Sequence, residues 1–309
     1  MVSLFLSSLK VRSIQLVAIA LLLPSLAWSS VQHFIYHQAE GISQPMQDRV
    51  APNHDDLHEQ IARLTKLIKK DPKNASLYYQ RASLYHGHDM LEEGLADYRK
   101  ALSLGYDEPD IYYFMARLYR VLEDPDTSSM YIDHFMEMAN GEMYVAGLIE
   151  RARINAAFGR YERAISDYNE ALNREDIATI DHYLELTEAT RQIHPDRPEE
   201  AVAVLDRGIE RLGAVPALQF RALELEQQAG HIDAAIARID QMMEGKVRKE
   251  SYYFKKAEIL RASGQVEAAR ENYQLAKEAI EALPPNRKQT VAMIKLQYEI
   301  DSALQAVGH

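Results

Sequence analysis

One period dominates this sequence: a bulky residue returns about every 35 positions from residue 78 onward. The series consists of Tyr78, Tyr112, Leu148, Tyr183, Leu218 and Tyr253, with intervals of 34, 36, 35, 35 and 35 residues. Between these residues, apolar side chains recur three and four positions apart, the spacing that places them on one face of a helix. A fixed period of this length predicts a repeat architecture built from helices.

Each copy of the repeat contains two predicted helices joined by a short turn. The clearest copy carries, in order, Tyr253, Ala257, Leu260, Gly264, Ala269, Tyr273 and Ala276. Small residues such as Ala257 and Ala269 let two helix backbones approach closely, and bulky residues fill the space between neighbouring pairs. Because one pair cannot bury enough apolar surface alone, the pairs must stack.

This pattern resembles the tetratricopeptide repeat family, whose unit is a helix–turn–helix of 34 residues. The resemblance implies an all-α fold, a right-handed superhelical solenoid of about six repeats over residues 73–283. We expect a leading helix over residues 54–72 and a C-terminal capping helix over residues 284–309. The family also implies a protein or peptide partner, and we expect neither catalytic activity nor a cofactor.

The N-terminal segment has the pattern of a secretory signal peptide. Lys10 and Arg12 precede an apolar run from residue 14 to residue 28, and Ala27 and Ser29 fit a cleavage site that ends the signal at residue 29. The apolar run has about 15 residues, fewer than the roughly 20 needed to span a bilayer. We therefore expect a periplasmic or secreted protein with a flexible linker over residues 30–53. The alternative is an uncleaved inner-membrane anchor.

Composition excludes several classes of function. The 46 acidic and 35 basic residues give a net charge of −11, which disfavours a nucleic-acid partner. The sequence contains no cysteine, which excludes disulfides, thiolate metal sites and cysteine nucleophiles. The sequence also lacks a recognisable catalytic motif: His58 and Glu59 begin a metalloprotease-like run, but Ala62 stands where the second histidine is needed.

The histidines are the only hint of a metal site. Two pairs are four residues apart and one pair is two apart: His33 and His37, His54 and His58, His86 and His88. Neutral imidazoles suit zinc, copper or nickel. A metal-handling protein that uses the N-terminal histidines is therefore one alternative function, although no fixed third ligand is evident.

Within the family, the first helix of each repeat lines a concave groove. The residue after the opening position, and those four and seven further on, would face that groove. The predicted partner-binding residues are Tyr79, His86, Tyr113, Arg117, Arg120, Arg153, Arg191 and Arg261. Guanidinium groups bind carboxylates through paired hydrogen bonds, and aromatic rings supply flat apolar contact area. The simpler interpretation is that these arginines pair with local acids such as Glu188 and Glu258.

From these residues we expect a non-enzymatic scaffold outside the cytoplasm that binds a partner segment in a cell-envelope assembly. An acidic peptide or chain terminus suits the arginines. A second alternative with the same chemistry is an acidic glycan, for a glycan-binding or polysaccharide-assembly factor.

Overall fold

A computed structural model describes residues 54–174 and 178–307, with side chains from residue 57 onward. The predicted signal peptide, the predicted linker, His33 and His37 lie outside the described residues. The chain divides into two compact units, residues 1–62 and 63–309. Only residues 54–62 of the first unit are described, all of them helical.

All regular structure in the described ranges is helical. The helices are α1 (His54–Lys70), α2 (Ala75–His86), α3 (Leu91–Ser103), α4 (Pro109–Val121), α5 (Pro125–Met138), α6 (Gly141–Ala157), α7 (Tyr161–Leu172), α8 (Ile180–Ile193), α9 (Pro198–Leu212), α10 (Pro216–Gln228), α11 (Ile232–Met243), α12 (Glu250–Ala262), α13 (Val266–Glu281), α14 (Pro285–Lys288) and α15 (Val291–Ala306). None of them is long and apolar enough to cross a membrane.

Consecutive helices pack as pairs: α2–α3, α4–α5, α6–α7, α8–α9, α10–α11 and α12–α13. The core alternates small and large side chains, as the sequence pattern predicts. Its almost completely buried members include Ala82, Tyr98, Ala116, Ile132, Ala152, Tyr168, Ala222, Ile239, Ala257 and Tyr273. Each fully buried large side chain contributes about 1.5–3 kcal/mol to stability. The predicted all-α solenoid of stacked helix pairs is confirmed.

Glycines end the first helix in three of the six pairs. Gly159, Gly230 and Gly264 have φ angles of 72°, 73° and 81°, a left-handed region that other residues enter only with strain. In the α4–α5 pair Glu123 adopts the left-handed conformation, with a φ angle of 57°, and the side chain of Asp124 caps α5 by accepting a hydrogen bond from the backbone N–H of Thr127 at 3.1 Å. These turns fix where each second helix begins.

One further glycine is required by packing rather than by backbone conformation. Gly208 lies in α9, and a Cβ atom added there would be 2.8 Å from Cγ of Tyr183 in α8. That distance is shorter than an ordinary carbon–carbon contact, so the two helices approach through the missing side chain.

Candidate functional site

The predicted partner-binding residues lie on five first helices, α2, α4, α6, α8 and α12, whose surface we call the first-helix wall. All eight of those residues are described. Seven are half-buried, and Arg261 is exposed. The structure places them in two different environments. One is an aromatic end on α2 and α4, and the other is a ladder of ion pairs that joins α4, α6 and α8, with a separate pair within α12.

The aromatic end gathers rings from three segments. Tyr79 in α2 stacks on Tyr106, with ring centroids 4.5 Å apart, and its hydroxyl donates a hydrogen bond to Asp110. Burial, followed by the nearby Asp110 carboxylate, raises the pKa of Tyr79 above its ordinary value. His86 lies 5.4 Å from Phe114, measured between ring centroids. Tyr79 is thus held in one orientation by a stack and a hydrogen bond.

Tyr113 continues this end on α4. Its ring centroid lies 5.2 Å from that of Phe135, and the guanidinium carbon of Arg117 lies 5.8 Å above the Tyr113 ring. That distance is within the range of a cation–π contact. The aromatic end therefore presents half-buried rings together with a cation, the combination common at protein interfaces.

Arg120 and Arg153 meet at one buried carboxylate. Arg120 Nε donates to Glu150 Oε1 at 2.8 Å, and the Glu150 side chain is completely buried. Arg153 Nη1 lies 3.8 Å from Glu150 Oε2. Arg153 Nε also donates to the carboxylate of Glu185 in the next first helix at 3.1 Å. Both guanidinium groups thus compensate carboxylates of the wall itself, and they join α4, α6 and α8.

Burial affects the pKa of Glu185, the last carboxylate in this chain of ion pairs. It raises the pKa of Glu185 above its ordinary value, although the neighbouring Arg153 opposes the shift. The Glu185 side chain is 24% exposed, so the buried part of the ladder reaches solvent at this residue.

The two remaining arginines make looser pairs. Arg191 donates to Glu188 three residues earlier at 3.1 Å, and both side chains are about two-fifths exposed, 39% and 44%. The hydrogen bond from Arg191 lowers the pKa of Glu188. Arg261 donates in the same way to Glu258 at 3.0 Å. The sequence suggested both pairs as an alternative to partner binding, and the structure contains them.

Two sets of residues were not predicted from the sequence. The first set is the wall's own carboxylates Glu150 and Glu185, together with Arg221, which lies 3.5 Å from Glu188. The sequence pattern marked the arginines along the wall but not the acids that face them from the next repeat. A signal was present, since Arg120 and Glu150 are 30 residues apart and Arg153 and Glu185 are 32 apart, close to one repeat.

The second set holds the two helices of a pair together. Arg81 in α2 donates twice to Asp97 in α3, at 2.6 and 2.8 Å. Arg151 and Asp167 repeat this arrangement in the α6–α7 pair, at 3.0 and 2.7 Å. Both pairs are 16 residues apart in sequence, a regularity that the sequence alone could have revealed. Paired guanidinium–carboxylate bonds of this kind fix orientation as well as distance.

The histidine hypothesis gains no support from the geometry. Among the described residues, no group of three or more histidine, aspartate or glutamate side chains could hold a metal ion. His58 is exposed on α1, and the side chain of His54 lies outside the described residues. His86 ends α2, and His88 follows in the loop.

Comparison with known proteins identifies the repeat. Residues 75–104, which cover α2 and α3, match the sequence model described as tetratricopeptide repeat. The chain therefore contains a tetratricopeptide repeat in α2 and α3. Tetratricopeptide repeat proteins as a family bind protein or peptide partners and are generally not enzymes. No curated protein matches the sequence at a significant level.

Solved structures support the same fold. A tetratricopeptide repeat protein from Parabacteroides merdae ATCC 43184 has 16% identity and a TM-score of 0.50, with 82% of this chain and 93% of that chain covered. The C-terminal part of a repeat-containing protein from Cytophaga hutchinsonii also has 16% identity, with a TM-score of 0.53 and coverage of 74% and 95%. At this identity the likeness concerns the fold alone.

Proposed function

We propose that this protein is a binding scaffold outside the cytoplasm that holds an extended, partly acidic segment of a partner protein along the first-helix wall. The proposal rests on a difference within the wall: some side chains are held in one orientation by their neighbours, whereas some arginines can exchange their carboxylate partner for that of another protein. The aromatic end supplies fixed rings, and the half-exposed pairs of α8 and α12 supply arginines whose carboxylate partners can be replaced.

Burial decides which arginines can exchange partners. Glu150 is completely buried, so a partner carboxylate cannot take its place on Arg120 without leaving a buried charge uncompensated. Glu188 and Glu258 lie on the surface of the wall, and each pairs with an arginine three residues away. A pair between partly exposed side chains contributes only about 0.2–1 kcal/mol, so an incoming carboxylate displaces the acid from its arginine at little cost. Each displaced acid keeps another partner, Arg221 at 3.5 Å for Glu188 and the Tyr273 hydroxyl for Glu258. We therefore assign partner contact to Arg191 and Arg261, and a structural role to Arg120 and Arg153.

The aromatic end suits an apolar anchor of the same segment. Tyr79 and Tyr113 lie on successive first helices, and both are half-buried in contacts with other rings. Their fixed orientation limits the entropy that is lost when a partner side chain packs on them.

The proposed location rests on the N-terminal sequence pattern. A basic start, a short apolar run and small residues at the cleavage position favour export. Export is tested by fractionating cells that express the chain and sequencing the N-terminus of the exported form. We expect it to begin after residue 29. A chain that stays in the cytoplasmic fraction with its first 29 residues intact would refute this part of the proposal.

The binding proposal is tested by affinity capture from a cell-envelope extract, identification of the captured protein, and titration of its acidic segment as a synthetic peptide. We expect the double variant R191E/R261E to reduce peptide affinity by about tenfold or more, because two favourable charge contacts become repulsive. The matched control is R270E in α13, a second helix, where Arg270 pairs with Glu267 three residues earlier at 3.5 Å. Equal affinity for R191E/R261E and the wild type would refute the assignment of the wall.

A further inference from the structure

The last described helix carries an apolar stripe that no other described helix covers. Val291, Ile294 and Tyr298 in α15 are 85%, 57% and 73% exposed. Their spacing of three and four residues places them on one side of the helix. The opposite side is filled, because Met293, Leu296 and Ile300 are buried in a cluster with residues of α12 and α13.

The stripe is a consequence of the repeat architecture. Each earlier first helix, from α2 to α12, packs against a second helix of its own pair. Among the described helices, α15 packs on α13 and on the short α14, and its outer face has no such partner. Three large apolar residues on one exposed helix face mark an interaction site.

Charges beside the stripe indicate the occupant. Lys295 and Glu299 follow one edge of it, with Nζ and Oε1 3.7 Å apart. When two copies of a helix pair antiparallel about a two-fold axis, residues on the same edge face each other across the interface. An axis that passes near residue 297 would place Lys295 of each copy opposite Glu299 of the other. The edge is therefore complementary to itself in the antiparallel orientation.

We propose that α15 is a self-association surface, on which a second copy of this chain docks its own α15 antiparallel to the first. Tyr298 lies near the two-fold axis, with Ile294 and Val291 further out. A single helix-on-helix contact is small, so the dimer is a weak one that exchanges with the monomer and responds to concentration. Two first-helix walls in one assembly would bind a divalent partner more tightly than one wall does.

The apolar part of the proposal is tested by sedimentation velocity on the purified full chain over a wide range of concentration. We expect a concentration-dependent monomer–dimer equilibrium for the wild type. I294E should weaken it by about tenfold or more, because a charge replaces a side chain buried at the interface. A292E is the matched control, since it adds the same charge to an exposed residue of α15 off the stripe. A wild type that stays monomeric throughout, or an I294E variant that associates as the wild type does, would overturn the proposal.

A mixing experiment tests the antiparallel geometry. K295E makes the edge wholly acidic and E299K makes it wholly basic, so each variant alone should associate less than the wild type. An equimolar mixture should recover association, because each acidic edge then faces a basic edge of the other variant. Failure of the mixture to recover would reject the antiparallel arrangement, since the interaction of residues 295 and 299 within one helix is not changed by mixing.

The self-association experiments can fail without affecting the proposal that the first-helix wall binds a partner, and the reverse also holds. The α15 variants leave α8 and α12 intact, so a monomeric I294E should still bind the partner peptide with the affinity of a single wall. A stripe that proves necessary for capturing a different protein, in a chain that remains monomeric, would overturn self-association and leave the first-helix wall unaffected.

Discussion

The buried carboxylate Glu150 gives the sharpest test of how the repeats are joined. Replacing Arg120 by alanine removes the guanidinium that donates to Glu150 Oε1 at 2.8 Å, and it leaves a completely buried acid behind. The comparison variant is Arg191→Ala, which breaks a pair of similar length, 3.1 Å, between half-exposed side chains. Both substitutions remove the arginine of an arginine–glutamate pair, and the two pairs differ in how deeply they are buried.

The expected magnitudes follow from that burial. Removing one partner of a buried ion pair costs about 3–5 kcal/mol, because the remaining charge is uncompensated. Arg153 stays 3.8 Å from the other oxygen of Glu150 and compensates part of that charge. We therefore expect Arg120→Ala to cost about 3 kcal/mol, at the lower end of the range. Arg191→Ala should cost no more than about 1 kcal/mol, since exposed pairs contribute about 0.2–1 kcal/mol.

Native-state hydrogen exchange is the suitable assay, because a repeat array opens locally as well as globally. Amides of α6 should lose about a hundredfold of protection in Arg120→Ala, as each 1.4 kcal/mol is a factor of ten. Amides of α8 should change by less than about tenfold in Arg191→Ala. The variant Glu150→Gln should make a second substitution at Arg120 less costly, because the pair is coupled.

Similar behaviour of the two arginines would refute this prediction. Equal loss of protection in α6 and α8 would show that burial of Glu150 does not control the cost. A loss below about tenfold for Arg120→Ala would show that Arg153 or solvent compensates the charge of Glu150 without penalty.

Four further outcomes are expected. Gly208→Ala should destabilise the chain by about 1–3 kcal/mol in urea denaturation, because the added methyl group meets the Tyr183 ring at 2.8 Å, and an unchanged midpoint would contradict the close approach. Ala257→Leu should cost a similar amount by overpacking a completely buried position, so a neutral result would contradict the repeat register. The pKa of Glu188 is lowered in the folded chain, so its stabilisation is present above the unfolded pKa of about 4.5 and is lost as pH falls through the folded pKa. In denaturation experiments at a series of pH values, Glu188→Gln should therefore make the loss of stability at acidic pH less steep. The pKa of Glu185 is raised, so its contribution to stability changes with pH in the opposite direction, and Glu185→Gln should make the loss of stability at acidic pH steeper.

The sequence alone determined the architecture, because close packing of paired helices leaves a periodic record. Ala257 and Ala269 had to be small for their helices to meet, and Tyr273 had to be large to fill the space beside them; all three are completely buried. Turn positions were also predictable, since Gly159, Gly230 and Gly264 adopt backbone angles that favour glycine. These requirements are local or repeat at a fixed interval, so one chain is enough to reveal them.

The tertiary structure decided which arginines of the wall are available to a partner. In the sequence, Arg120 and Arg191 are equivalent, one arginine each at corresponding repeat positions. Only the folded chain brings Glu150 from the next repeat against Arg120 and buries it, whereas Arg191 keeps an exposed partner from its own helix. The physical reason is that the strength of an ion pair depends on the solvent around it, and burial by a neighbouring repeat leaves no periodic mark in the sequence.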